Sequence, residues 1–128
     1  MARYTIIALL IVLCVVMYYV AENMNLHINS VPNLEISVKE ARARRFALVI
    51  DVRTPKEREQ LGFYPHSLPI SMDRIEKEIP VPPTSSILVY ANGDERARQA
   101  ATKLYEIGYH HVRYLPTTYL ALLPGSAQ

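Results

Sequence analysis

Two short stretches carry most of the side chains that could do chemistry. Residues 51–57 read DVRTPKE, and residues 91–96 read ANGDER directly after the apolar run Ile87–Tyr90. Asp51, Arg53 and Glu57 place two carboxylates and a guanidinium within seven positions, the pieces of an ion-pair network. Ala91, Asn92, Gly93, Asp94, Glu95 and Arg96 stand where a buried strand hands over to a helix. Backbone N–H groups and the positive end of a helix collect at such junctions, which suits them to hold an anion. The first residue of this loop is nevertheless Ala91, whose methyl group has no proton to lose. Neither Ser nor Thr stands there. Cys14 is the chain's single cysteine and lies in its most apolar stretch, so no intrachain disulfide forms and the rest of the chain holds no thiol.

Other chemistries find little support. His27 is isolated, His66 stands alone in a loop, and His110 and His111 are adjacent and point apart, so no metal site is expected. No phosphate-binding Walker loop, Gly-rich dinucleotide turn or Ser-His-Asp arrangement occurs, and no cofactor is expected. The chain is 50% hydrophobic and 20% charged with a formal charge of +2, and its basic residues form no stripe, so a nucleic-acid partner is not expected. Arg42, Arg44 and Arg45 form one small cluster, read as a solvated helix face or, alternatively, a binding patch.

The elements that must position these residues follow from periodicity. Ser37–Arg45 is helix-prone. Phe46–Asp51 is a continuous apolar run closed by Asp, the pattern of a strand buried on both faces. Thr54 caps a helix of about two turns, with Pro55 at its first position and Glu57 completing a capping box. Gly62–Ile70 reads as a loop with a short edge strand at Ser67–Ile70. Met72, Ile75, Glu76 and Ile79 have helical spacing, stopped by Pro80, Pro82 and Pro83. Ile87–Tyr90 is a second buried strand, Glu95–Ile107 the longest helix of the domain, and Gly108 its terminator. Val112–Leu115 is a further strand, and Thr117–Leu123 a last helical turn. Alternation at this spacing predicts an α/β fold with a mainly parallel sheet of about five short strands flanked by helices. Ligands then gather beyond the carboxyl ends of the strands, where Asp51–Arg53 and Ala91–Arg96 lie.

Ahead of this domain, residues 5–20 read TIIALLIVLCVVMYYV without a charge. With Arg3 snorkelling and Tyr18 and Tyr19 at headgroup level, residues 1–21 read as an uncleaved transmembrane anchor whose partner is the lipid bilayer. A cleaved signal peptide is the alternative, against which stands the lack of an A-x-A site. The Asn-rich residues 22–34 read as a linker, 35–124 as the domain and 125–128 as a tail. Arg3 and the amino terminus are positive, whereas the far flank has no Lys or Arg, which places the N-terminus in the cytoplasm and the domain on the far side.

The ordered set from about Ile36 to Leu123 resembles the rhodanese family. Asp51-Val52-Arg53 with Glu57 is similar to its D-x-R-x-x-x-E segment. Gly62–Ile75 is similar to its G-H-I-P-G-A-x-N-I-P-x-x-x-L stretch, with Phe63 for the usual His and His66 for the second Gly. Leu104–Leu115, with Gly108-Tyr109 and Val112, resembles L-x-x-x-G-(Y/F)-x-x-V-x-x-L. The resemblance implies sulfur transfer through a cysteine at the first loop position, which here is Ala91. It also implies Gly-Gly after the last strand, where this chain has Thr117 and Thr118, and a Trp near the end, replaced at about Leu122. Asp51 and Arg53 are then a structural ion pair, and Arg96 reaches an anion or pairs with Asp51 or Glu57. Three functions stay open: a membrane-anchored, catalytically inactive module that binds a protein partner, with a small anion possible at the loop; a thiosulfate or persulfide sulfurtransferase if Ala91 is an engineered replacement of Cys; and a structural or assembly protein of a membrane-bound particle.

Overall fold

The computed structural model describes residues 2–28 and 31–125, side chains at 25–28 excepted. Residue 1, part of the expected linker and residues 126–128 of the expected tail lie outside the described residues. The chain forms two units, Met1–Pro32 and Asn33–Gln128.

The first unit is one helix, α1 (Ala2–Ile28). Its stretch Ala2–Met24 is long and apolar enough to cross a membrane, spanning about 34 Å at 1.5 Å per residue. The helix continues past the boundary expected at residue 21. No Gly or Pro interrupts it before Pro32, and the Tyr18 hydroxyl donates to Glu22 Oε1 one turn on, at 2.9 Å, stitching across that boundary.

The second unit holds a four-stranded, all-parallel sheet in the order β2-β1-β3-β4: β1 (Leu48–Asp51), β2 (Leu68–Pro69), β3 (Ile87–Tyr90) and β4 (Val112–Tyr114). This corrects the expectation of about five strands. The chain at Glu35 does run beside β4, with Ile36 N–H donating to Tyr114 O at 3.1 Å, but it makes a single bridge. Asn33 Oδ1 takes the Glu35 N–H, and Ser37 already caps the next helix, so no length remains for a ladder. Three helices flank the sheet: α2 (Val38–Ala43), α3 (Pro55–Leu61) and α4 (Glu95–Glu106), and a 3-10 turn follows at Tyr119–Leu122.

β3 is central and buried at every position, which is why its sequence is apolar throughout. Its alternate side chains serve two half-cores. Leu88 and Tyr90 join Ile36, Ala41, Leu115, Tyr119 and Leu122 on one face. Ile87 and Val89 face the other side, where α4 packs through Ala97, Ala100, Ala101 and Leu104. Small residues on that stripe let α4 approach closely. The helix ends in a Schellman motif: Tyr109 N–H bonds Leu104 O at 2.9 Å and Gly108 N–H bonds Tyr105 O at 3.1 Å, with Gly108 at φ +116° where a side chain would be strained. Residues 72–77 are turns and 78–79 are irregular, in place of the expected helix. Of its apolar positions only Ile75 is fully buried, too little to hold a helix closed by three prolines.

Leu104 is fully buried and Ile107 is 44% exposed. In residues 33–128 expressed alone, Leu104→Ala is expected to cost about 2–5 kcal/mol in urea unfolding, and Ile107→Ala under about 1 kcal/mol. Equal effects would show that α4 does not bury the face described.

Candidate functional site

The polar residues at the carboxyl ends of β1 and β3 are built around one buried carboxylate. Asp51 closes β1 with its side chain fully out of water. A lone carboxylate there would be prohibitively costly, and the sequence supplies donors from three elements. Oδ1 accepts from Arg53 N at 2.9 Å and Arg53 Nε at 3.0 Å; Oδ2 accepts from Arg53 Nη2 at 2.9 Å, Arg58 Nη1 at 3.0 Å and the Tyr90 hydroxyl at 3.1 Å. Burial pushes the Asp51 carboxyl up, but the Arg53 and Arg58 donors more than offset it and hold it below its ordinary value. The Asp51 carboxylate in turn raises Arg53, and burial raises the Tyr90 phenol.

The donors are themselves positioned locally. Thr54 caps α3 with its Oγ1 accepting Glu57 N–H at 3.2 Å, while Glu57 Oε1 accepts Thr54 N–H at 3.2 Å. Pro55 starts the helix, and Arg58 falls one turn after Thr54, facing back to Asp51. Arg58 also donates to Ser67 O at 2.8 Å and stacks 3.9 Å over the Phe63 ring. Arg53 Nη2 donates to Gly62 O at 2.6 Å. Gly62 sits at φ +76°, and an added Cβ would lie 2.5 Å from the Tyr119 hydroxyl, so only glycine fits.

From Arg53 the network crosses to the loop. Arg53 Nη1 lies 3.4 Å from Asn92 Oδ1, and Asn92 Nδ2 lies 3.3 Å from Glu57 Oε2. Arg96 then grips Glu57 with both arms, at 2.6 and 2.8 Å, and donates to Asp94 Oδ2 at 2.8 Å. Of the two carboxylates open to Arg96 in the sequence, Asp51 and Glu57, it pairs with Glu57. Arg96 holds the Glu57 carboxyl down at about 2 and holds Asp94 below its ordinary value, while both carboxylates raise Arg96. Three carboxylates meet three guanidiniums, and the network is neutral.

Ala91 itself is fully buried. Asp94 caps α4, taking Arg96 N–H at 3.2 Å. Glu95 turns away to Arg98 at 2.8 Å. Gly93, at φ +80°, lies under the chain leaving β4: a Cβ there would be 3.8 Å from Pro116 O and 3.9 Å from Thr117 Cα. Thr117 is therefore at the loop through its backbone, and its Oγ1 donates to Thr118 O at 3.1 Å. Thr118 precedes the 3-10 turn without capping it by its side chain. Sequence reasoning missed Arg58, Ser67, Tyr90 and Tyr119. For Tyr90 a signal existed: a hydroxyl at the end of a wholly buried strand must find a partner. His110 lies against Tyr105, ring centroids 4.5 Å apart, and His66 lines a cavity away from the loop.

Removing one partner of this centre leaves the others buried and unpaired. Asp51→Asn is expected to cost about 3–5 kcal/mol in urea unfolding, and Tyr90→Phe about 1–3 kcal/mol. Asp51 and Glu57 have folded pKa values below the unfolded range of about 4. Their contribution is therefore present above that range and lost as pH falls toward 2. Stability should be flat above about pH 5 and fall steeply below it, and Glu57→Gln should flatten part of that slope; an unchanged slope would contradict the Arg96–Glu57 pairing.

Comparison with known proteins agrees with this geometry. Residues 36–121 match the model of the rhodanese-like domain family. Among solved structures, the human single-domain sulfurtransferase TSTD1 superposes with a TM-score of 0.60 at 20% identity, covering 75% of this chain and all 100% of that one. The Alr3790 protein of Anabaena sp. gives 0.59 at 19% identity, covering 68% of this chain and 83% of that one. The Saccharomyces cerevisiae single-domain sulfurtransferase RDL2 gives 0.55 at 17% identity, covering 70% and 87%. At such identities the likeness is one of fold. No curated protein matches the chain in sequence. With the family match covering more than half of the chain, the protein belongs to the rhodanese-like domain family over residues 36–121.

Proposed function

We propose that this is a membrane-tethered rhodanese-like module that turns over no sulfur and acts by binding a protein partner. The observation that carries the reading is Ala91: a buried methyl group at the loop position where the family resemblance places the nucleophile, in a chain whose only cysteine is Cys14 of α1. A persulfide needs a thiolate to carry it, and a methyl group offers neither acid proton nor lone pair. The loop has no spare guanidinium for a small anion, because Arg96 is occupied by Glu57 and Asp94, so a protein partner is favoured over an anion there. Leu61, Phe63 and Leu120 are each about half exposed around the bond from the Tyr119 hydroxyl to Leu61 O, 3.1 Å, and supply apolar contact surface beside the network. Ala2–Met24 supports tethering to a bilayer, and Arg3 on its N-terminal flank favours a cytoplasmic N-terminus.

A sulfurtransferase reading draws on TSTD1 and RDL2, which are described as single-domain sulfurtransferases, and requires a cysteine at position 91. Thiosulfate and cyanide yield thiocyanate and sulfite when a thiol shuttles the sulfur. Full-length protein in detergent is expected to form thiocyanate no faster than buffer. Ala91→Cys is expected to fold and to gain little, since position 91 is sealed and the 116–117 backbone lies over Gly93. Turnover by the unaltered protein overturns the proposal. A photo-crosslinking residue at position 63 in native membranes is expected to capture a different protein; an adduct made only of two copies of this chain would instead favour self-assembly.

A further inference from the structure

A cavity lies between α2, the start of β1 and the turn at 64–66. It encloses about 390 Å³ and is lined by Arg42, Arg44, Arg45 and His66 together with apolar and aromatic residues that include Phe46 and Tyr64; no Asp or Glu lines it. Most arginines of the domain are held by carboxylates among the described residues. Arg53 and Arg58 meet Asp51, Arg74 meets Glu78, Arg96 meets Glu57 and Arg98 meets Glu95. Arg44, by contrast, reaches Glu40 only at 3.8 Å and lies 5.0 Å over the Phe46 ring. Arg45 forms no ion pair with any described residue. His66 stands at φ +65°, the one non-glycine with positive φ among the described residues. A left-handed L-residue costs about 1–2 kcal/mol, and backbone strain of this kind collects at functional sites. The turn with this φ places His66 on the wall that carries the guanidiniums.

We propose that this cavity binds a phosphate monoester with an apolar or aromatic body, its phosphate held by Arg44, Arg45 and His66 and its body received by Phe46 and Tyr64. Guanidinium forks match phosphate oxygens in pairs. A single carboxylate would be satisfied by one fork, whereas a phosphate monoester, with its near-double charge and three terminal oxygens, engages several donors at once. The volume falls in the range of small-molecule sites. The proposal is independent of the loop and of the missing thiol. Two sources share this chemistry: a soluble aryl or alkyl phosphate, and a lipid with a phosphomonoester headgroup in the bilayer that α1 can enter.

The test uses full-length protein with [13C]histidine in phosphatidylcholine nanodiscs, the His66 ring signal being assigned by its loss in His66→Gly. Phenyl phosphate is titrated in one arm; in the other, part of the phosphatidylcholine is replaced by phosphatidic acid. A saturable shift of the His66 signal with phenyl phosphate supports a soluble ligand, and a shift only with phosphatidic acid supports the lipid. In either case Arg45→Gln is expected to weaken binding about tenfold or more, while Arg98→Gln, on exposed α4 surface, leaves it unchanged. No shift in either arm, equal affinity for inorganic phosphate, or equal weakening by Arg45→Gln and Arg98→Gln overturns the proposal.

Discussion

The Asp51 carboxylate is the constraint on which the domain's carboxyl-terminal edge depends. It is buried at the end of the strand that lies between β2 and β3, and it accepts five hydrogen bonds from Arg53, Arg58 and Tyr90. Each donor comes from a different piece of chain: the turn after β1, the helix α3 and the end of β3. Satisfying one charge therefore fixes three elements at once. The alternative, a carboxylate without partners in that position, would cost more than the domain's whole margin of stability.

The same network carries that order outward. Arg53 leans on Asn92, Asn92 on Glu57, and Glu57 on Arg96, so the loop after β3 is tied to α3 through charge-assisted bonds at 2.6 and 2.8 Å. The loop is a preorganised shape with its charges spent internally. At the head of that loop stands Ala91, a fully buried methyl group. Arg45, which forms no ion pair with any described residue, lines a cavity wall that also includes His66.

Much of this was legible in the residues. The capping box Thr54–Glu57, the proline at the first turn of α3, the Gly108 terminator and the all-apolar β3 are local or nearly local signals, and local physics decides them. The buried Asp51–Arg53 pair was readable from its D-x-R spacing and resemblance. What failed had equally physical causes. Residues 72–79 have helical spacing but almost nothing to bury it against, and propensity without burial does not make a helix. The sheet has four strands and not about five, and Glu35 adds only a single bridge to β4 because Ser37 already caps α2.

By itself, the order of amino acids determined the class of fold, the presence of a 23-residue apolar helical stretch and the lack of a thiol in the domain, since each depends on composition and short-range period. Only the tertiary structure decided which carboxylate Arg96 would take, that Tyr90 would complete the Asp51 shell, and that Arg45 and His66 would share a wall. Those partners are separated by tens of positions along the chain, and nothing but the packing of the sheet against its helices brings them together.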